Sequence, residues 1–278
     1  MLCLLAGALA QPPPRGCSDS LTRRLPFCDV ALSPAARASD LVSRLTLGLA
    51  EKLSLTDSSH AALDRLRVPA YTFGNECLHG AVVSGTDSGV GAVAGATVFP
   101  QPIAWGASFD AGLVAEIGAA VSTEARALNN QGVKRGGSMP GFLSCFAPNL
   151  NIFRDPRWGR GSETYGEDPL LTSNLTAAFV SGLQGSSRDA HRAIKVAATC
   201  KHFAAYSFEE AGDQMRFWFD ARVSAQDLTE TYLPAFSRRA FAKERAASVS
   251  GRVSIPRHAG ERTSSSLAPA RLLCVTHR

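Results

Sequence analysis

Three short stretches of this 278-residue chain set chemically useful side chains close together. RDPRWGRGSETYGEDP, residues 154–169, gathers three arginines, four carboxylates, a tryptophan and a tyrosine. Arg157 and Arg160 can present planar donor forks to a carboxylate or to paired hydroxyls, with Glu163, Glu167 and Asp168 available to anchor them. Trp158 offers a flat apolar face to a sugar ring or to the core. The same residues would equally make a self-satisfied salt-bridge loop whose closing Asp168-Pro169 starts a helix. GNECLHG, residues 74–80, puts Glu76 at the end of an apolar run and close to His79. A carboxylate there can accept hydrogen bonds from vicinal hydroxyls or ligate a metal, or it can simply face solvent. CKHF, residues 200–203, sets Lys201 beside His202 after the buried run IKVAAT. Neighbouring residues of a strand point to opposite faces, so both reach one site only at a strand end with a kinked backbone; the alternative is a surface Lys beside a core His.

The elements that must position these groups are legible as a repeat of strand, loop and helix. VPAYTFGNE, TVFPQPIAWG, SCFAPNLNIF and IKVAATCKHFAAY read as buried strands. Leucines at 41, 45, 49 and 53 predict a helix from about Ser39 to Leu55. Asp110 caps a second helix with Leu113, Ile117, Val121 and Leu128 on one face. A third follows Asp168-Pro169, carries Leu171, Leu175, Phe179 and Leu183, and stops at Gly185. Ser224 with Asp227 three residues on is a variant capping box that opens a fourth, running to about Arg245. Alternating strands and helices indicate an α/β fold with parallel strands. If the strands close into a barrel, reactive groups sit just past their C-terminal ends, which selects Asn75, Glu76, the segment from Arg154 to Arg160, Lys201 and His202.

Composition narrows the function classes. The chain is 45% apolar and 19% charged, with a formal charge of +5. Residues 250–278 hold five Arg and one Glu, a net +4, so the body carries only +1 and has no basic stripe for nucleic acid. No later stretch reaches membrane-spanning length without charges. MLCLLAGALA, residues 1–10, reads as a signal peptide with a small-x-small end at Ala8-Leu9-Ala10, which implies secretion to the extracellular space or cell wall. Of seven cysteines, Cys17 and Cys28 flank a short loop and could pair, whereas Cys77, Cys145 and Cys200 read as buried thiols. Their wide spacing holds no zinc pattern. Asn174-Leu175-Thr176 is an N-glycosylation sequon. SGVGAVAG, residues 88–95, is followed by Pro100 and Pro102 rather than a helix, so a dinucleotide loop is set aside; GGSMPG around Ser138 has Pro140 where a hydrolase elbow needs Gly.

Taken in order, LPFCDVALSPAARASDLVSRLTL, AALDRLRVP, NECLHG, FPQPIAWGASFD, APNLNIFRDPRWGRGSETYGEDP, AATCKHFAAY and VSAQDLTETYLPAF resemble the N-terminal barrel domain of glycoside hydrolase family 3. The branch they are most similar to is the fungal and plant β-D-xylosidase and α-L-arabinofuranosidase group. The resemblance implies an incomplete (β/α)8 TIM-type barrel over residues 34–249, after an N-terminal extension at 11–33 and before an irregular tail at 250–278. It implies a retaining exo-glycosidase that needs no cofactor or metal and acts on xylan or arabinoxylan fragments. Glu76, Arg160, Lys201 and His202 are carried over as sugar-binding residues; Glu76, where glucosidase-type members usually have Asp, favours a pentose.

Two departures qualify that reading. Phe73 and Gly74 stand where similar sequences have an aromatic pair, which alters one wall of the pocket. After Val249 the chain leaves the family pattern, and neither a nucleophilic Asp nor an acid/base Glu is recognisable. The expectation is therefore twofold: a family 3 glycosidase by descent, or a truncated remnant that at most binds sugars.

Overall fold

The computed structural model describes residues 16–45, 51–52, 55, 59–83, 91–92, 96–134, 143–185 and 194–237. The expected signal at 1–10, the run GGSMPG, most of the glycine-rich run 88–95 and the expected tail at 250–278 lie outside them. The chain divides into two compact units, Met1–Phe73 with Gln131–Gly141 and Gly74–Asn130 with Phe142–Arg278.

In the first unit, helix α1 spans Pro34–Arg44, earlier than the leucine spacing predicts. Its start follows local grammar: Ser33 accepts a hydrogen bond from the Ala36 N–H, and Pro34 takes the first turn. It ends at Leu45, so the expected continuation to Leu55 is not one helix; Leu49 and Leu53 lie outside the described residues. Leu41 and Leu45 pack with Leu55, Leu63, Leu66 and Val68 in a small apolar cluster. Strands β1 (Ser59–His60) and β2 (Tyr71–Thr72) pair antiparallel. The expected Cys17–Cys28 disulfide is present.

The second unit contains the parallel framework. Strand β3 (Val82–Val83) pairs antiparallel with β4 (Gly91–Ala92). TVFPQPIAWG, expected as a strand, instead forms the short helix α2 (Pro102–Gly106) after an extended lead-in. Pro102 at the first turn presets a helical φ, and Pro100 has no N–H for a ladder, so the apolar run cannot be a central strand. Helix α3 (Ala111–Lys134) begins at Asp110, whose carboxylate accepts from the Leu113 N–H at 3.0 Å. Val114, Ile117, Val121 and Ala125 form its buried face; Leu113, expected there, is 41% exposed because the stripe starts one residue later.

Strand β5 (Ser144–Cys145) runs parallel to β6 (Ala197–Ala198), and helix α4 (Pro169–Gln184) is the crossover between them. Asn75 bridges Cys145 in parallel on β5's other side, and Asn149 bridges Lys201 further along. Three segments in the order 75, 145, 198 thus run side by side, the α/β pattern anticipated, although the described residues do not form a closed barrel. Asp168 caps α4 by accepting from the Leu171 N–H at 2.5 Å, and Gly185 ends the helix at φ +82°, both as the sequence implies. Leu175, Phe179 and Leu183 join Trp105, Val114, Val121, Leu150 and Val196 in the core. The hairpin of β7 (Glu210–Ala211) and β8 (Gln214–Met215) is antiparallel.

Two differences complete the picture. Cys77 and Cys145, expected as thiols, form a disulfide across the parallel bridge, while Cys200 is buried as expected. The helix expected from Ser224 starts there, with Ser224 Oγ accepting from the Asp227 N–H, but α5 covers only Ala225–Asp227. It widens into a π-turn at Leu228–Tyr232 and tightens to a 3-10 turn at Pro234–Phe236, where Pro234 cannot continue the ladder.

Helices α3 and α4 touch backbone to backbone. A Cβ on Gly182 would lie 2.0 Å from the Ala115 carbonyl oxygen, and one on Gly118 would lie 2.6 Å from that of Phe179. Gly182→Val is expected to lower the urea midpoint by the equivalent of roughly 1–3 kcal/mol or more, since neither backbone can yield. Gly159→Ala, whose Cβ would meet nothing within 4 Å, serves as the control and should unfold nearly as the parent does.

Candidate functional site

The parallel register delivers Glu76 and Lys201 to the same place from opposite sides of β5. Asn75 N–H donates to Ser144 O at 2.9 Å and Phe146 N–H to Asn75 O at 2.8 Å, which sets the end of the first segment. Lys201 N–H donates to Pro148 O at 3.0 Å and Leu150 N–H to Lys201 O at 2.6 Å, which sets the end of the third. Lys201 Nζ then donates to Glu76 Oε2 at 2.6 Å, across 125 residues of chain. The lysine side chain is only 8% exposed and the glutamate 39%, so the carboxylate opens outward while the ammonium is enclosed. Burial pushes the Lys201 ammonium below its ordinary range; Glu76 counteracts this, and the charge on Arg160 adds to it.

Gly74 shapes the approach to Glu76. It has φ +97°, and a Cβ there would fall 2.0 Å from the Phe146 ring. Phe146 therefore occupies the space that a side chain before the Asn75-Glu76 pair would need.

Of the three arginines in residues 154–169, one belongs to this site. Arg160 donates through Nε to Glu163 Oε1 at 2.8 Å and through Nη2 to Glu163 Oε2 at 2.6 Å. Its Nη1 donates to the Tyr206 hydroxyl at 3.3 Å. Burial works against its charge, but Glu163 and Tyr206 outweigh that and hold the guanidinium above its ordinary range. Arg157 is an exposed partner of Asp155, whose carboxyl the guanidinium holds down at about 2, and Arg154 reaches Asp227 at 3.4 Å. Of the three carboxylates expected as anchors, Glu163 is the one that pairs with an arginine among the described residues. Glu167 is exposed and Asp168 is spent on the cap of α4, so the expectation that both would anchor the arginines fails. Trp158 is 4% exposed against Phe153 and Tyr206, which makes it core rather than a ligand platform. His79 is held by Phe99 O and Gln101.

His202 is fixed by Asn151. The Asn151 Nδ2 donates to His202 O at 2.7 Å, which orients the amide and leaves Oδ1 to accept from the His202 N–H at 2.9 Å. The same Oδ1 lies 3.0 Å from Nδ1, so Nδ1 carries the proton and Nε2 is the acceptor. Burial, then the charges of Lys201, Arg160 and Arg216, pushes the imidazole down to about 2.

Sequence reasoning missed Tyr206, Glu209 and Arg216. Tyr206 OH donates to Glu209 and accepts from Arg216 at 3.2 Å, and its ring stands edge-on to His202 at 4.9 Å. The signal for Tyr206 and Glu209 was their place soon after CKHF, in the loop beyond β6; Arg216 follows β8 and joins them through the hairpin.

Polar groups gathered at the C-terminal ends of parallel strands are the layout of a barrel-type α/β enzyme. The chain belongs to glycosyl hydrolase family 3: the model described as Glycosyl hydrolase family 3 N terminal domain matches residues 57–270. An exo-1,4-beta-xylosidase of Emericella nidulans is 46% identical over 237 residues, covering 84% of this chain and 29% of the relative. A beta-xylosidase/alpha-L-arabinofuranosidase of Medicago sativa subsp. varia is 46% identical over 211 residues, covering 76% and 26%. Among solved structures, a GH3 exo-beta-xylosidase in complex with a xylobiose aziridine probe superposes with TM-score 0.73 at 35% identity, over 86% of this chain and 30% of that one. Beta-glucosidase 3B of Thermotoga neapolitana with glucose gives 0.59 at 26% identity, over 78% of this chain and 29% of that one. The chain spans less than a third of the length of these relatives.

The enclosed histidine generates a pH prediction. An unfolded histidine protonates near 6.5, whereas His202 in the fold does so near 2, so between these values the unfolded chain binds the extra proton. Its contribution is complete above about pH 6.5 and is lost as pH falls toward 2. The His202 ring C–H shift should stay constant from about pH 8 to 4 in an NMR titration, and His202→Asn should flatten the acid limb of the stability curve. A midpoint near 6.5 would refute it.

Proposed function

We propose that this chain supplies the sugar-recognition pocket of a retaining exo-β-xylosidase or α-L-arabinofuranosidase acting on xylan or arabinoxylan fragments. The observation that carries the reading is the Lys201–Glu76 pair at 2.6 Å, with Arg160 and His202 alongside in the same unit. Glu76 accepts through Oε2 and keeps Oε1 for a ligand hydroxyl. His202 offers Nε2 as an acceptor. Arg160 has five N–H donors, of which three are engaged, leaving two. Such a mixed set of donors and acceptors suits vicinal hydroxyls of a pyranose or furanose ring. Pentose preference is supported by a glutamate at position 76 and by relatives named as a xylosidase and a xylosidase/arabinofuranosidase.

A second reading, recognition without turnover, has its own support. Retention of configuration needs a nucleophilic carboxylate and an acid/base carboxyl about 5–5.5 Å apart. The described carboxylates around the pocket are each held by a cation: Glu76 by Lys201, Glu163 by Arg160 and Glu209 by Arg216. They are disposed for recognition, not for attack on an anomeric carbon. The reading of residues 1–10 as a secretion signal is supported by two disulfides, which persist in oxidising compartments. Within the sequon on α4, Asn174 is exposed, as a surface glycan requires, whereas Leu175 and Thr176 are buried.

Hydrolysis of an aryl β-xyloside and an aryl α-arabinofuranoside by the purified chain separates these readings. Turnover that Glu76→Ala abolishes supports the glycosidase. No turnover, with calorimetric xylose binding weakened about tenfold or more by Glu76→Ala, supports recognition alone. Absence of both turnover and pentose binding overturns the proposal.

A further inference from the structure

Tyr206 has no role in the pocket as described above, yet it touches two of its four residues. Its hydroxyl lies 3.3 Å from Arg160 Nη1 and 3.2 Å from Arg216 Nη1, and it donates to Glu209 Oε2. A phenol can donate one hydrogen bond and accept two, so the hydroxyl is fully engaged and has nothing left for a ligand. Its ring is edge-on to His202 at 4.9 Å and to Trp158 at 5.0 Å.

The partners divide by origin. Glu163 grips Arg160 from three residues away, so that pair fixes the guanidinium only within its own loop. Tyr206 reaches it across 46 residues from the loop after β6, the same loop that carries Lys201 and His202. Without the hydroxyl, Arg160 and Glu163 can swing together as one ion pair. With it, Nη1 is pinned to the His202 side. Arg216 and Glu209 hold the phenol in turn, and their opposite charges leave the cluster balanced.

We propose that Tyr206 is a positioning residue, which sets the Arg160 guanidinium relative to Lys201 and His202 so that its two remaining N–H groups face the sugar. This rests on the sugar-pocket reading above. The phenol acts through Arg160 and His202 and does not itself touch the ligand.

Tyr206→Phe keeps the ring contacts and removes the hydroxyl. Pentose binding, or KM where turnover is present, should weaken about tenfold with kcat and thermal unfolding nearly unchanged. Glu209→Ala releases the phenol and should weaken binding similarly, whereas Glu209→Gln, which keeps an acceptor, should restore most of it. A second readout needs no sugar: the Arg160 Nε–Hε signal in a nitrogen-15 NMR spectrum should exchange slowly in the parent and broaden in Tyr206→Phe. Parent-like affinity together with a parent-like Arg160 signal overturns the proposal. A parent chain that binds no pentose defeats the pocket reading instead, and the Arg160 signal still decides the role of Tyr206. Should Tyr206→Phe fail to fold, the Glu209 pair of variants gives the same decision.

Discussion

An ammonium taken out of water must be paired, and in this protein that requirement falls on Lys201. Its side chain is 8% exposed, and the partner that compensates for lost hydration, Glu76, lies 125 residues earlier in the chain. Removing one member of such a buried pair leaves an uncompensated charge, a loss of about 3–5 kcal/mol for fully enclosed pairs and less here because Glu76 is partly open. The pairing works only if the segments ending at residues 76 and 201 lie on either side of β5 in one register. A slip of one residue would turn Lys201 away from the carboxylate. Much of the second unit can be understood as the apparatus that prevents that slip.

Three devices hold the register. The first is the run of backbone hydrogen bonds from Asn75 to β5 and from β5 to β6, continued by Leu150 and Lys201. The second is the Cys77–Cys145 disulfide, placed one residue past Glu76; closing a separation of 68 residues removes roughly 4 kcal/mol of chain entropy from the unfolded state. The third is α4, whose Gln184 side chain accepts from the Ala198 N–H and whose glycine contact with α3 lets two helices press onto the strands. Asn151 adds a polar latch, since its amide binds the His202 backbone and ring at once.

What the chemistry makes of this scaffold is an arrangement in which charge is neutralised pair by pair. Lys201 with Glu76, Arg160 with Glu163, and Arg216 with Glu209 make a cluster that is polar and nearly neutral. Neutral polyols are suited to such a surface, because hydroxyls can donate to the carboxylates and accept from the cations without bringing charge of their own. His202, kept neutral, adds an acceptor where a protonated ring would repel its basic neighbours.

Local grammar made part of this legible from residues alone. Asp168-Pro169 and Gly185 delimit α4 because a cap, a proline and a left-handed glycine act within a few residues of themselves. The ordered motifs around Glu76, Arg160 and Lys201-His202 identified the family, since their spacing survives as text. Where apolarity was the only signal, it misled: TVFPQPIAWG looked like a strand until proline stereochemistry made it a helical turn, and Leu113 looked buried until the turn of α3 carried it outward. Partnerships were beyond the reach of sequence. That Cys77 bonds Cys145, that Arg160 is held by Glu163 and Tyr206 while Arg154 and Arg157 face away, and that Trp158 serves the core were decided by the tertiary structure. Each depends on which distant segment lies next to which, a property of strand register and helix packing that no local pattern encodes.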